Sequence, residues 1–409
     1  MMNSKIEKNT CHSERYATTA RQLRSCVSES VNKEMLKQVQ HDNFVELGEL
    51  IEICDTRNID KKYGIDDVCG MTIEKEIIPT KADVKDTDLS KFYIVQPQEF
   101  VYNPRTHGRK IGLGFNNSNK PILISWNNTA FKVKNANRVI PTYLYMIFSR
   151  DEWDREACFK SWGSSTVVFA WEDFCKMKIP LPSIETQREL VAVYNGLKEL
   201  AEENEKLLEP LSKSCEAFIV DCKKKYAKKR LGDLIAIDEK INSENRNLEF
   251  LGINRDKSFM PSVATTDGLD KSKYKVISKG KFVFSGMQTG RDVCIRFGLY
   301  NETIDGLVSP AYTTYSVVDN NILPEYLMMN FKRSEMDRLG WFLSDSSVRS
   351  NLDFDRFHDI QIAIPPIQIQ QKIVDLYNCY EECKRIANEA REKISNLCPA
   401  LVQKAAHSR

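Results

Sequence analysis

Hydrophobic positions along this chain follow one period, switch to another, and then do both again. Segments 92–101, 122–133, 281–284 and 312–318 are rich in β-branched and aromatic residues and read as short strands with turn residues between them. After Pro182 and again after Pro366 the period lengthens from about two to about 3.5. In the first such stretch Leu190, Tyr194, Leu197, Ala201, Asn204, Leu208, Leu211, Cys215, Phe218 and Cys222 alternate four and three apart. Ile373, Leu376, Tyr380, Cys383, Ala387, Ala390, Ile394, Leu397 and Leu401 do so in the second. These are the a/d seams of a coiled coil. Neither helix buries its stripe alone, and a whole globular region lies between them. The economical arrangement is an antiparallel pair in which each covers the other, although packing of each helix on its nearest globular core would also account for the stripes. Pro210 removes a helical hydrogen bond and predicts a kink near Glu209.

The alternation is a repeat with an offset of 182 to 184 residues. Leu47-Gly48-Glu49-Leu50-Ile51 returns as Leu231-Gly232-Asp233-Leu234-Ile235, and Pro141-Thr142-Tyr143-Leu144 as Pro324-Glu325-Tyr326-Leu327. Ile179-Pro180-Leu181-Pro182 corresponds to Ile362-Ala363-Ile364-Pro365, and Gln187 with Tyr194-Asn195 to Gln370 with Tyr377-Asn378. The fold class is therefore α+β: two pseudo-repeated mixed domains, 43–182 and 230–365, with long helices over 183–229 and 366–409. Residues 1–42 fall outside the repeat and are polar and basic. They are expected to be a disordered leader or the product of an upstream start codon, with Met35 as an alternative start.

Composition narrows the function by exclusion. With 42% hydrophobic and 28% charged residues the chain is of globular type. It has no apolar run approaching the ~20 residues of a membrane span, and a cytoplasmic protein is expected. Twelve cysteines are scattered without a C-x-x-C, and the five histidines are not spaced as zinc ligands. Free thiols, no metal and no cofactor follow. A net charge of +2 confines any nucleic-acid footprint to local patches.

The order of elements, and above all Lys178-Ile179-Pro180-Leu181-Pro182 before Glu185-Thr186-Gln187-Arg188, echoed by Ala363-Ile364-Pro365-Pro366 before Gln370-Gln371-Lys372, resembles the specificity subunits of type I restriction-modification systems. The resemblance covers everything after residue 42. It implies that each α+β region is a target recognition domain reading one half of a split site in double-stranded DNA. It also implies that the helices serve as ruler and docking surface for two methyltransferase subunits, that restriction and translocase subunits join that core, and that this subunit is non-catalytic. The residues agree. Asn103-Pro104 runs into Arg105-Thr106 where an adenine methyltransferase has a second proline and an aromatic. Gly112-Leu113-Gly114 meets Asn117 in place of a third glycine, and Gly280-Lys281 is followed by Phe282 with Lys275 at the first Walker position. A fused methyltransferase or nuclease is disfavoured on these grounds. The alternative from another class is a coiled-coil adaptor that binds proteins without DNA specificity.

Reading base edges in the major groove requires forked cations and amides on a projecting element. The halves offer one equivalent place each: Asn103, Arg105, His107, Arg109 and Lys110 after an apolar strand, and Gln288, Thr289 and Arg291 after Phe282-Val283-Phe284, with a Gly-Arg pair in both. The plainer reading is a solvated hairpin turn. A second equivalent pair lies before each proline boundary: Ser164 and Ser165 beside Trp162, and Ser346 and Arg349 beside Trp341. Their small polar groups could bond phosphates or base edges, with the indoles either anchoring the loops or belonging to the core. The basic run Lys223-Lys224-Lys225 and Lys228-Lys229-Arg230 closes the first helix, where the helix dipole favours cations; phosphate contact is the other use. From Gln187 to Cys222 a helix spans roughly 50 Å at about 1.5 Å per residue, or about 15 base pairs at ~3.4 Å each, an upper limit on half-site separation.

Overall fold

The computed structural model describes residues 44–106, 110–163, 167–262, 268–345 and 347–407, and the side chains to residue 403. Residues 1–43, with the expected leader, lie outside them. The chain divides into two compact units, Met1–Glu203 with Ile386–Arg409, and Asn204–Arg385.

In the first unit Ile51–Cys54, Thr129–Val133, Phe100–Tyr102 and Leu113–Phe115 form an antiparallel sheet in that order. Phe100 sits between Phe115 and Phe131 in register, and its ring stacks on both at 4.7 and 5.1 Å between centroids. The helices Pro141–Phe148, Asp151–Phe159 and Trp171–Cys175 supply Phe148, Trp153 and Phe174 to the same core. In the second unit Ile235–Ile237, Thr313–Val317, Phe282–Ser285 and Arg296–Leu299 repeat this sheet, with Phe282 stacked on Phe297 at 4.6 Å. A further sheet there orders Phe259–Pro261, Glu249–Ile253, Gly306–Val308 and Lys275–Ile277. The corresponding part of the first unit forms separate two-stranded pairs, Cys69–Met71 with Ile77–Pro79 and Tyr93–Val95 with Ile122–Ile124, with a bridge from Val68 to Leu123.

Two expected strands are each broken in two. Segment 92–101 turns at Gln98, whose φ is 68°, where the Glu99 carboxylate accepts from the Gln96 amide. Segment 122–133 turns where the Asn128 side chain donates to the Ser125 carbonyl. Local side-chain bonds of this kind compete with the sheet ladder.

The repeated strings have a physical reason in both units. Gly48 and Gly232 pass so close to Cys175 and His358 that an added Cβ would meet the neighbour's Cβ at 3.0 Å in each case. Tyr143 and Tyr326 are fully buried, and their hydroxyls donate to the carbonyls of Pro180 and Ala363. Gln187 and Gln370 are fully buried at the start of each long helix. The Gln187 amide accepts from Ile140 N–H and donates to the carbonyls of Arg138 and Pro182; Gln370 does the same with Leu323, Asn321 and Pro365. The motif glutamine thus ties helix, proline boundary and domain together.

The long helices run Ile184–Lys225, unbroken through Pro210, and Ile367–His407, through Pro399. Within the first unit Leu190 and Leu197 share a core with Cys398 and Val402. Within the second, Cys215, Ile219 and Cys222 share one with Ile373 and Val374. In each unit the beginning of one helix lies with the end of the other, an antiparallel pairing. The seam shifts from the expected positions at Ile219 and Val374, which are buried, while Leu208 and Leu211 are only half-buried. Among the described residues no helix is long and apolar enough to cross a membrane, and no cluster of His, Cys, Asp and Glu could hold a metal. The ten described cysteines are free thiols, and burial pushes those of Cys215 and Cys398 up to about 11.

Candidate nucleic-acid interface

In the first unit the wholly buried strand Phe100–Tyr102 delivers the chain to Asn103. The Asn103 side chain accepts from Arg105 N–H at 2.9 Å, an Asx turn that reverses the backbone. Beyond it the loop lies along 167–169. Phe169 N–H donates to Pro104 O at 2.7 Å, the Thr106 amide and hydroxyl both donate to Val167 O, and Arg105 is bridged to Val168. Val168 pairs in turn with Trp162. The described parts of the two stretches singled out in the sequence, 103–106 and 161–163, are therefore neighbours across the strip 167–169. Arg105 and Lys110 are exposed; Lys110 lies 3.9 Å from Asp151. His107, Arg109, Ser164 and Ser165 lie outside the described residues.

The second unit brings its corresponding stretches together by other contacts. Leu352 N–H donates to Gly286 O, and a Cβ on Gly286 would stand 2.1 Å from the Leu352 carbonyl oxygen, so only glycine allows the approach. Gln288 turns with φ 63° and donates its amide N–H to the Asn351 side chain, while Gly290 N–H donates to Ser350 O. The chain then makes one helical turn, Thr289–Asp292. Arg291 is exposed and reaches the Gln288 side chain and Asp292. Asp292 also receives Arg296 at 2.6 Å and Arg255 at 3.5 Å. Burial opposes its charge, yet the Arg291 hydrogen bond and the surrounding guanidinium groups hold its carboxyl below the usual carboxylate range. Arg349 is exposed on the facing loop, where Asp345 accepts from the Ser347 hydroxyl and amide and from Asn351 N–H. Ser346 lies outside the described residues.

Several expectations change. Thr289 is 1% exposed with its hydroxyl on Gly286 O, so it shapes the turn and presents nothing to a ligand. Trp162 and Trp341 are 75% and 56% exposed, which removes them from the core and from the anchoring role; Trp153 is the buried indole of the first unit. Half of the basic run pairs within its own unit, Lys225 with Asp221, Lys229 with Asp319 and Arg230 with Asp359, in keeping with the stabilising role. Sequence reasoning missed Arg255, Arg296 and Asn351. Arg255 gave no signal, because Ile73 stands at its place in the first half.

The family model for the type I restriction modification DNA specificity domain matches the chain twice, over residues 42–209 and 223–396. No curated protein sequence matches. Among solved structures, the type I restriction-modification S subunit from M. genitalium is 14% identical, with 91% of this chain and 98% of that one covered and a TM-score of 0.56. The HsdS subunit from Thermoanaerobacter tengcongensis is 15% identical over 89% of this chain and 96% of that one, with a TM-score of 0.34. The first likeness shows a shared fold. With two copies of the specificity domain spanning most of its length, the chain belongs to the specificity-subunit family of type I restriction-modification systems.

Proposed function

We propose that this chain directs a type I restriction-modification complex to a bipartite sequence in double-stranded DNA, each unit reading one half-site. The observation that carries the reading is the pairing just described: in both units the described parts of the two singled-out stretches lie together beside an exposed arginine, Arg105 or Arg291. Arg105, with Asn103 and Lys110, would serve one half-site; Arg291 and Gln288, with Arg349, the other. His107, Arg109, Ser164, Ser165 and Ser346 remain candidates from their places in the sequence. An arginine fork suits guanine O6 and N7, and an amide suits adenine. Two methyltransferase subunits supply the chemistry and restriction subunits join them, with the chain acting in the cytoplasm and contributing no reacting group.

The test is methylation sequencing of DNA from a host carrying the accompanying methyltransferase gene, with and without this chain. A split adenine-methylated motif that appears only with the chain is expected. Arg291→Ala should relax one half of that motif, costing about 1–3 kcal/mol of discrimination, and leave the other half unchanged. Removing one turn from the helix Ile184–Lys225 should shorten the gap and keep the letters of both halves.

A protein-binding adaptor is the second reading, favoured by the exposed Phe159 and Trp162 in one unit and Trp341 and Phe342 in the other. It predicts a stable complex with partner proteins and no motif.

A further inference from the structure

Each unit buries the charged end of one lysine against one aspartate, at the same place in the repeat. Lys75 and Asp154 side chains are 3% and 6% exposed, with Nζ and Oδ1 2.5 Å apart. Lys257 and Asp337 are 3% and 20% exposed, and Nζ lies 2.9 Å from both carboxylate oxygens. Both lysines stand in the left-handed region, φ 69° and 68°, a costly conformation for a residue with a side chain. Both aspartates are the fourth residue of the helix after Pro141–Phe148 or Pro324–Phe331, namely Asp151–Phe159 and Ser334–Leu343.

Each aspartate has a second task. Asp154 accepts from Ile111 N–H at 3.0 Å, and Asp337 accepts from Ile295 N–H at 2.9 Å. Ile111 and Ile295 are wholly buried and stand where the chain leaves the loops 103–110 and 286–292. In the first unit Lys75 also donates to Ile111 O at 2.6 Å, so that the pair holds both the N–H and the carbonyl of one residue. The entrance to each loop is fixed by a sheet strand, Phe100–Tyr102 or Phe282–Ser285. The exit has the aspartate, whose orientation the lysine sets by a charge-assisted hydrogen bond.

Resting on the DNA-reading function above, we propose that Lys75–Asp154 and Lys257–Asp337 are positioning pairs that fix the exit of each reading loop, and so set how sharply each unit discriminates bases in its own half-site. A pair that only fills the core would be replaceable by apolar side chains without consequence, since such replacements are often neutral. A positioning pair is not, because the isoleucine N–H loses its acceptor.

The experiment compares K75M/D154N with K75M/D154L in the full chain assembled with its methyltransferase subunits. Both doubles remove the charges, and only the asparagine keeps an acceptor for Ile111 N–H. Affinities are measured for the cognate duplex and for duplexes with one base changed in either half-site. K75M/D154N should discriminate as the wild type does. K75M/D154L should lose about tenfold in one half-site alone, on the scale of a single mismatch; K257M/D337N and K257M/D337L should mirror this in the other. Equal behaviour of the asparagine and leucine doubles, or equal relaxation of both half-sites, overturns the inference. Failure of both leucine doubles to assemble beside sound asparagine doubles marks the pairs as structural and also overturns it. A wild-type complex without sequence preference overturns the functional reading, and the inference with it.

Discussion

The two units share their frame and differ in their loops. At the proline boundary Gln187 and Gln370 make the same three kinds of hydrogen bond, and Tyr143 and Tyr326 cap equivalent carbonyls. The presented loops are built differently. The first is laid by backbone bonds along 167–169, whereas the second turns through a short helix held by glycines on Leu352 and Ser350 and by guanidinium groups around Asp292. A frame whose parts fit only one way permits little change, and loops resting on it can vary without disturbing the core. Under the proposed function, this is what lets two copies of one domain address two different half-sites.

The sharpest test of the shared frame is Gln187→Ala beside Gln370→Ala. Each removes a fully buried amide and leaves one N–H and two carbonyls to find other partners. Both should destabilise by about 3 kcal/mol, read from urea unfolding, and by similar amounts. A large difference between them would break the equivalence. The next test exploits a divergence. Arg333 is nearly buried and forms a two-pronged pair with Glu216, while Arg150, at the same place in the repeat, has its Nε 3.5 Å from Glu152 and without a hydrogen bond. Arg333→Met should cost about 2 kcal/mol, less than a wholly buried pair because Glu216 keeps contact with water. Arg150→Met preserves the stem packing and should be neutral within about 0.5 kcal/mol. Equal losses in thermal unfolding would show that the pair with Glu216 contributes nothing of its own.

How far the sequence revealed this follows from where the determining contacts lie. The boundary was legible because a glycine, a tyrosine and a glutamine each sit at a site with one geometric solution, so the same letters recur at a fixed offset. The Lys75–Lys257 and Asp154–Asp337 equivalence has the same offset, but a buried lysine looks in sequence like any surface lysine. The loops are settled by partners some sixty residues away, as Thr106 is by Val167 and Gly290 by Ser350, which no local pattern encodes. Thr289 illustrates the consequence. It stands between two candidate contact residues, yet its hydroxyl turns inward to Gly286 O. The tryptophans misled for the opposite reason: an indole is usually read as core, and the aromatic cluster of the first unit draws on Trp153 and Trp171 instead.

The smallest expected effect separates the edges of the two frames. In the second unit the strand Lys228–Arg230 opens the domain, and Lys229 donates to Asp319; the corresponding strand of the first, Phe44–Glu46, carries no lysine. The Lys229 hydrogen bond, helped by Asn321 N–H, holds the Asp319 carboxyl at about 2 against an ordinary 3.8. A depressed carboxylate stabilises the fold fully above its unfolded value, and the contribution is lost as pH falls through the folded one. Asp319→Asn should therefore cost less than about 1 kcal/mol at pH 7, and its deficit against the wild type should narrow as pH drops below 3.8 toward 2. Urea midpoints at about pH 7, about pH 4 and about pH 2 provide the reading. A deficit that stays constant across them would mean that the cost does not follow the charge of the carboxylate, and would leave Lys229 as a cation that contributes nothing through it.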